Sequence, residues 1–177
     1  SEYGLITGGV SNRVYSSWST IIGGSSNYIY TAYSTIANGH NSWVYGYSAT
    51  IGGGMYNSVY GSYSYTGGGW YSNAMSYGSS VSGGHDNWAS GYWAHVGGGG
   101  YNWASSYHGT IGGGAYNGCY SSYSVIGGGQ SNYLYVAHAN IDGGHNNYLY
   151  GYAATVGGGM YNSAYGSWST TTGGKWN

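Results

Sequence analysis

Apolar and small residues recur along this chain at a fixed spacing of fifteen, with polar and aromatic residues between them. With Ser1 opening the first repeat, the sixth column is β-branched in every repeat: Ile6, Ile21, Ile36, Ile51, Thr66, Val81, Val96, Ile111, Ile126, Ile141, Val156 and Thr171. Column four holds only Gly, Ser or Ala, and column fourteen only Val, Ile, Ala, Cys or Leu. Alternate residues of a strand share a face, so columns four and six form one inward face and columns twelve and fourteen another. The pattern predicts two short strands per repeat, over columns two to six and columns eleven to fifteen. The missing 3.6-residue period and the abundance of Gly argue against helix.

Glycines punctuate the strands. Column nine is Gly in all twelve repeats: Gly9, Gly24, Gly39, Gly54, Gly69, Gly84, Gly99, Gly114, Gly129, Gly144, Gly159 and Gly174. These are the expected corners, where Gly adopts positive φ without penalty, and a Ser, Gly or Thr position marks the opposite corner. Column twelve is Asn in ten repeats, at Asn12, Asn27, Asn57, Asn87, Asn102, Asn117, Asn132, Asn147, Asn162 and Asn177, with Ser42 and Ser72 as exceptions. Stacking repeats in register predicts an all-β parallel β-solenoid, a β-roll of twelve rungs about 55 Å long at ~4.8 Å per rung. Its Asn column is expected to form amide-to-amide hydrogen bonds. Residues 1–177 read as one uncapped solenoid domain, a segment of a longer fibre or a filament subunit, because exposed strand edges drive polymerisation.

Composition adds the surface. All 34 Tyr and Trp residues fall in columns two, three, five, ten, eleven, thirteen and fifteen, none in the inward columns, so the rings are expected outside. Column fifteen carries Tyr15, Tyr30, Tyr45, Tyr60, Tyr120, Tyr135, Tyr150 and Tyr165, and column thirteen carries Trp43, Trp88 and Trp103. Such rings either stack and stiffen the rod, or form an interaction surface for another copy, a glycan or a matrix. Charged residues are 3% of the chain, namely Glu2, Arg13, Asp86, Asp142 and Lys175, which leaves no basic groove for nucleic acid.

No constellation for catalysis stands out, and no cofactor or metal is expected. His40, His85 and His145 share column ten, and His108 and His138 share column three, but intervening rungs separate them too far to ligate one ion. Asp86 and Asp142 lie in different columns and cannot pair as acid and base. Gly97 to Gly100 lack the Lys-Ser/Thr of a phosphate loop and read as a corner. Cys119 is unpaired and reads as a small buried hydrophobe. Apolar runs are too short for membrane insertion, and no Asn-x-Ser/Thr sequon occurs.

The repeat unit GGxxNxAxGxYSxVx, visible in Gly98, Gly99, Asn102, Ala104, Tyr107 and Ile111 and again in Gly158, Gly159, Asn162, Ala164, Gly166, Trp168, Ser169 and Thr171, resembles the head repeats of YadA-like trimeric autotransporter adhesins. Similar repeats occur in bacterial and phage fibre proteins. The resemblance implies a left-handed β-roll, a homotrimer, and adhesion to host matrix or cells. Tyr in column fifteen and Trp in column thirteen depart from the family pattern where three copies would pack. The expected function is a non-enzymatic structural or adhesive fibre element, extracellular or at the cell surface, assembling as a homotrimer or end-to-end filament. The alternative is a carbohydrate- or surface-binding module using stacked Tyr and Trp rows.

Overall fold

The computed structural model describes residues 3–177, which form a parallel β-solenoid advancing by fifteen residues per turn. Strands at columns five and six, from Leu5–Ile6 and Thr20–Ile21 to Thr170–Thr171, make a 12-stranded sheet. Strands at columns thirteen and fourteen, from Arg13–Val14 and Tyr28–Ile29 to Ser163–Ala164, make an 11-stranded one. Pairing is parallel and in register, with Ile6 opposite Ile21 and Val14 opposite Ile29. A third ladder of single bridges follows column ten from Val10–Ser25 to Met160–Lys175. No helix occurs among the described residues.

The strands are two residues long, not the five expected from the residue pattern. Left-handed backbone at columns three and eleven cuts them short. Trp18, Tyr33, Tyr63, Trp93 and Tyr123 in column three, and Tyr56, Tyr71, Tyr101, Tyr116 and Tyr161 in column eleven, all have φ between 50° and 60°. That conformation costs an L-residue about 1–2 kcal/mol. From the third rung on, the column-three turns are braced by a bond to the preceding rung, as the column-eleven turns are: Tyr63 N–H donates to the Tyr47 carbonyl at 2.8 Å, and Tyr56 N–H to the His40 carbonyl at 2.9 Å. The chain therefore turns at two places eight columns apart, and columns two to six resemble columns ten to fourteen in backbone path.

The interior is one side chain thick. Ile21, Ile36, Ile51, Ile111, Ile126 and Ile141 from column six meet Ile29, Val44, Cys119, Leu134 and Leu149 from column fourteen, all fully buried. Ala49, Ala94, Ser34 and Ser79 from column four and most of the column-twelve asparagines are buried beside them, as the spacing requires. No Tyr or Trp is buried among the described residues.

The Asn column differs in chemistry from the expected amide-to-amide ladder. Asn102 Nδ2 donates to the Gly98 carbonyl at 2.9 Å in its own rung and to the Gly114 carbonyl at 2.8 Å in the next. Its Oδ1 accepts from Asn117 N–H at 3.0 Å. Amide-to-amide bonds occur at Asn117–Asn102 and Asn147–Asn132, both 3.1 Å. The reason is the glycine corner, where the column-eight carbonyl and the column-twelve N–H have no backbone partner and a buried backbone group demands one, while the column-nine carbonyl, already bonded by the column-ten N–H as at Gly100 to Gly114, accepts the amide as a second donor. Column four supplies a smaller version that the sequence pattern did not announce. Ser34 Oγ donates to the Gly46 carbonyl at 3.1 Å and accepts from Ala49 N–H at 3.2 Å.

Column nine behaves as expected at eleven of its twelve glycines, from Gly9 to Gly174, with φ between 82° and 105°. At Gly114 a Cβ would strike the Gly129 carbonyl oxygen. Gly39 is the exception and lies outside the left-handed region. Its rung is the one that carries Asn, at Asn38, where every other repeat has Gly in column eight, whereas Ser in column twelve, at Ser42, is shared with the Ser72 rung, whose Gly69 stays left-handed.

Candidate functional site: an outer surface of stacked rings

Residues flanking the inward columns must point outward, and columns thirteen and fifteen share one broad face. All eight column-fifteen tyrosines are exposed, as are Trp88 and Trp103, whereas Trp43 is half-buried. In-register stacking brings like rings together. Tyr15, Tyr30, Tyr45 and Tyr60 form a row with centroids 5.0, 4.8 and 4.8 Å apart and planes within 10°. Tyr120, Tyr135, Tyr150 and Tyr165 form a second row at 5.5, 5.2 and 5.0 Å. Met75, Ser90 and Ser105 separate the two rows. Tyr28 stacks beside the first on Trp43, 6.5 Å away, and Tyr133 beside the second on Tyr148 at 5.4 Å.

The left-handed corners carry two further ring arrays that strand alternation could not foresee. Along one edge, column-two and column-three rings alternate edge to face, through Tyr33–Tyr47 at 5.4 Å, Tyr47–Tyr63 at 5.9 Å and Tyr63–Tyr77 at 5.3 Å. His108 and His138 belong to this edge, sandwiching Tyr123 at 5.4 and 5.2 Å. Along the other edge, His40, His85 and His145 each meet the column-eleven tyrosine of the next rung edge-on, at 5.8, 5.1 and 5.8 Å. These five histidines thus serve as members of aromatic arrays, whereas the sixth, His95, shares a 2.8 Å hydrogen bond between its Nδ1 and Ser80 Oγ. Among the described residues no group of three or more His, Cys, Asp or Glu is placed to hold a metal ion.

The interval between the two tyrosine rows is where the surface becomes concave. Trp88 and Trp103, stacked strands apart, splay to an interplanar angle of 43° with centroids 6.0 Å apart. With Asp86, Tyr101 and Asn102 they line a shallow, mostly apolar pocket of about 230 Å³. Trp103 is held by a bond from its Nε1 to Ser90 Oγ at 2.8 Å and by the Tyr120 edge at 6.4 Å. Tyr101 lies against Tyr116 at 4.8 Å on one face, with the His85 edge at 5.1 Å.

Cys119 sits inside the roll, where burial pushes its thiol up from the ordinary range while hydrogen bonding with Ser106 and with the backbone of Ser121 and Thr110 opposes the shift. That is the state of a packed hydrophobe and not of an activated nucleophile. No helix of the described residues is long and apolar enough to cross a membrane. A scan against protein-family models finds no match to this chain, and neither does a search of curated proteins.

Proposed function

We propose that this chain is a non-enzymatic structural and adhesive fibre element, acting outside the cell or at its surface and associating with copies of itself through its aromatic exterior. The observation that carries the proposal is the pair of exposed, uninterrupted tyrosine rows on a rod with almost no charge. Contiguous exposed apolar surface of this kind marks an interaction site, and aromatic residues are enriched where such sites close. Net charge of −1 offers little repulsion to hold copies apart. The repeat's resemblance to trimeric adhesin heads supports a side-by-side homotrimer, and filaments formed end to end would use the same rod.

Stacking bears on the alternative of glycan binding. In a row such as Tyr30–Tyr45–Tyr60, with planes within 8°, each ring covers its neighbour's face, so the row presents edges and hydroxyls outward. A sugar needs an open face, which the rows do not offer. Self-association through interlocking edges is the better use of this geometry.

Sedimentation velocity and negative-stain imaging over a hundredfold concentration range test the proposal. Wild-type chain should form trimers or filaments, and a triple Tyr30→Ser, Tyr45→Ser, Tyr60→Ser variant with unchanged far-ultraviolet dichroism should shift toward monomer. Compact monomers of the wild-type chain throughout would overturn it.

A further inference from the structure

The pocket between the two tyrosine rows has a chemistry of its own. We propose that Asp86, Trp88, Tyr101 and Trp103 form a binding site for an organic cation with a quaternary or methylated ammonium head. Three aromatic residues and one acidic residue line it, and the lining is mostly apolar. Aromatic faces attract cations through their quadrupoles, and the attraction grows when the cation is weakly hydrated, as a methylated ammonium is. At about 230 Å³ the space lies below the ~300–1,000 Å³ of drug-sized sites, which suits a headgroup better than a whole ligand.

Charge complementarity points the same way. The other formal charges of the described residues are Arg13, Asp142 and Lys175, in the first, tenth and twelfth rungs, whereas Asp86 is in the sixth. The nearest of them is thus four rungs away, about 19 Å at ~4.8 Å per rung. That exceeds the Debye length of about 8 Å at physiological salt, so Asp86 alone sets the sign of the pocket's field. The cage is also held in place before any ligand arrives. Ser90 and Tyr120 fix Trp103, while Tyr116 and His85 fix Tyr101. Column thirteen has Gly118 in the rung after Trp103, and any side chain there would collide with the Tyr120 ring. Preorganisation of this kind removes an ordering cost from binding. The site is distinct from the tyrosine rows, so it stands or falls independently of self-association.

The test is a titration of the 177-residue chain at pH 8 with choline and with its neutral isostere 3,3-dimethylbutan-1-ol, read from the indole N–H resonances of Trp88 and Trp103. Choline should shift both resonances saturably with an affinity of about millimolar or tighter, and the isostere should bind at least tenfold more weakly. Asp86→Asn keeps a side chain that the same left-handed position already accepts at Asn41 and Asn146, and it should weaken choline about tenfold. Trp88→Ser places in column thirteen the residue found at Ser58 and Ser163, and it should abolish the response of Trp103. Equal binding of the isostere would reduce the pocket to a plain apolar cleft. A response to methyl glucoside with none to choline would make it a sugar site, and either result overturns the assignment.

Discussion

Ser72 occupies a place built for asparagine, and Ser72→Asn should stabilise the solenoid. Ser72 is fully buried and its Oγ has no hydrogen-bond partner. The backbone around it already has the form found in Asn-bearing rungs, since Gly69 has φ of 94° against 82° for Gly54 and 88° for Gly84. In the rung below, Asn57 makes the full set: Nδ2 to Gly53 and Gly69 carbonyls at 2.8 and 3.1 Å, and Oδ1 from Ser72 N–H at 2.9 Å. An asparagine at 72 would donate to the Gly68 and Gly84 carbonyls and accept from Asn87 N–H. Each new bond contributes about 0.5–1.5 kcal/mol net, and the orphaned hydroxyl, itself a penalty of ~1–3 kcal/mol, disappears. Against that stands the entropy of fixing a longer side chain. A net gain of about 1–3 kcal/mol is expected. Ser42→Asn is the internal control, because Gly39 is not left-handed and its corner is not shaped for the amide, so the gain there should be smaller. Urea unfolding followed by circular dichroism at constant m-value reads both variants. If Ser72→Asn is no more stable than wild type, or Ser42→Asn gains as much, the amide does not organise these corners.

Three further outcomes follow from the same architecture. Ile111→Asp puts an unpaired carboxylate in a dry interior and should cost several kcal/mol, whereas Tyr107→Ser on the exposed edge should be tolerated; comparable protease resistance of the two would contradict the assigned interior. Gly114→Ala forces Cβ onto the Gly129 carbonyl at φ of 85°, so beyond the ~1–3 kcal/mol of backbone strain the rung must distort, and hydrogen exchange should quicken around that corner first; a uniform or absent change would contradict it. Burial first, then neighbouring row hydroxyls, hold the Tyr45 and Tyr135 phenols above the ordinary tyrosine range, and burial does the same for Tyr120. A raised folded pKa makes the native state the tighter proton holder, so stability is intact below about pH 10 and falls as pH climbs through the folded values. Thermal melts from pH 8 to 12, with phenolate absorbance recorded in parallel, should show that fall, and a melting point that holds steady while the rows ionise would refute it.

The inward columns were legible because a solenoid reduces three-dimensional packing to one dimension. Ile111 needs to suit only Val96 and Ile126 in register with it and the opposing strand, so its environment is written fifteen residues away in either direction. Corners were half legible. Glycine advertises positive φ at Gly114, but Tyr101, Trp93 and Tyr123 adopt it too while carrying the residue types most typical of strands. Their conformation is imposed by inter-rung bonds that no local propensity encodes, and strand length was overestimated for that reason. The Asn column was visible as a ladder, yet its true partners are carbonyls whose orientation depends on those same corners. The pocket beside Trp88 and Trp103 was hidden for a different reason: it lies where Ser90, Ser105 and Gly118 stand in place of rings, and absence is hard to read from a list of residues.

The unbroken count of fifteen makes length separable from shape. Each rung bonds to the rungs directly before and after it, so an in-frame duplication of one repeat's coding segment would lengthen the rod by about 4.8 Å and leave every other rung's surroundings intact. A slip of a single residue is a different event. It would turn the inward columns of that rung toward solvent and drive rings into an interior too thin to hold them, so gene rearrangement in this protein is tolerated only in whole turns.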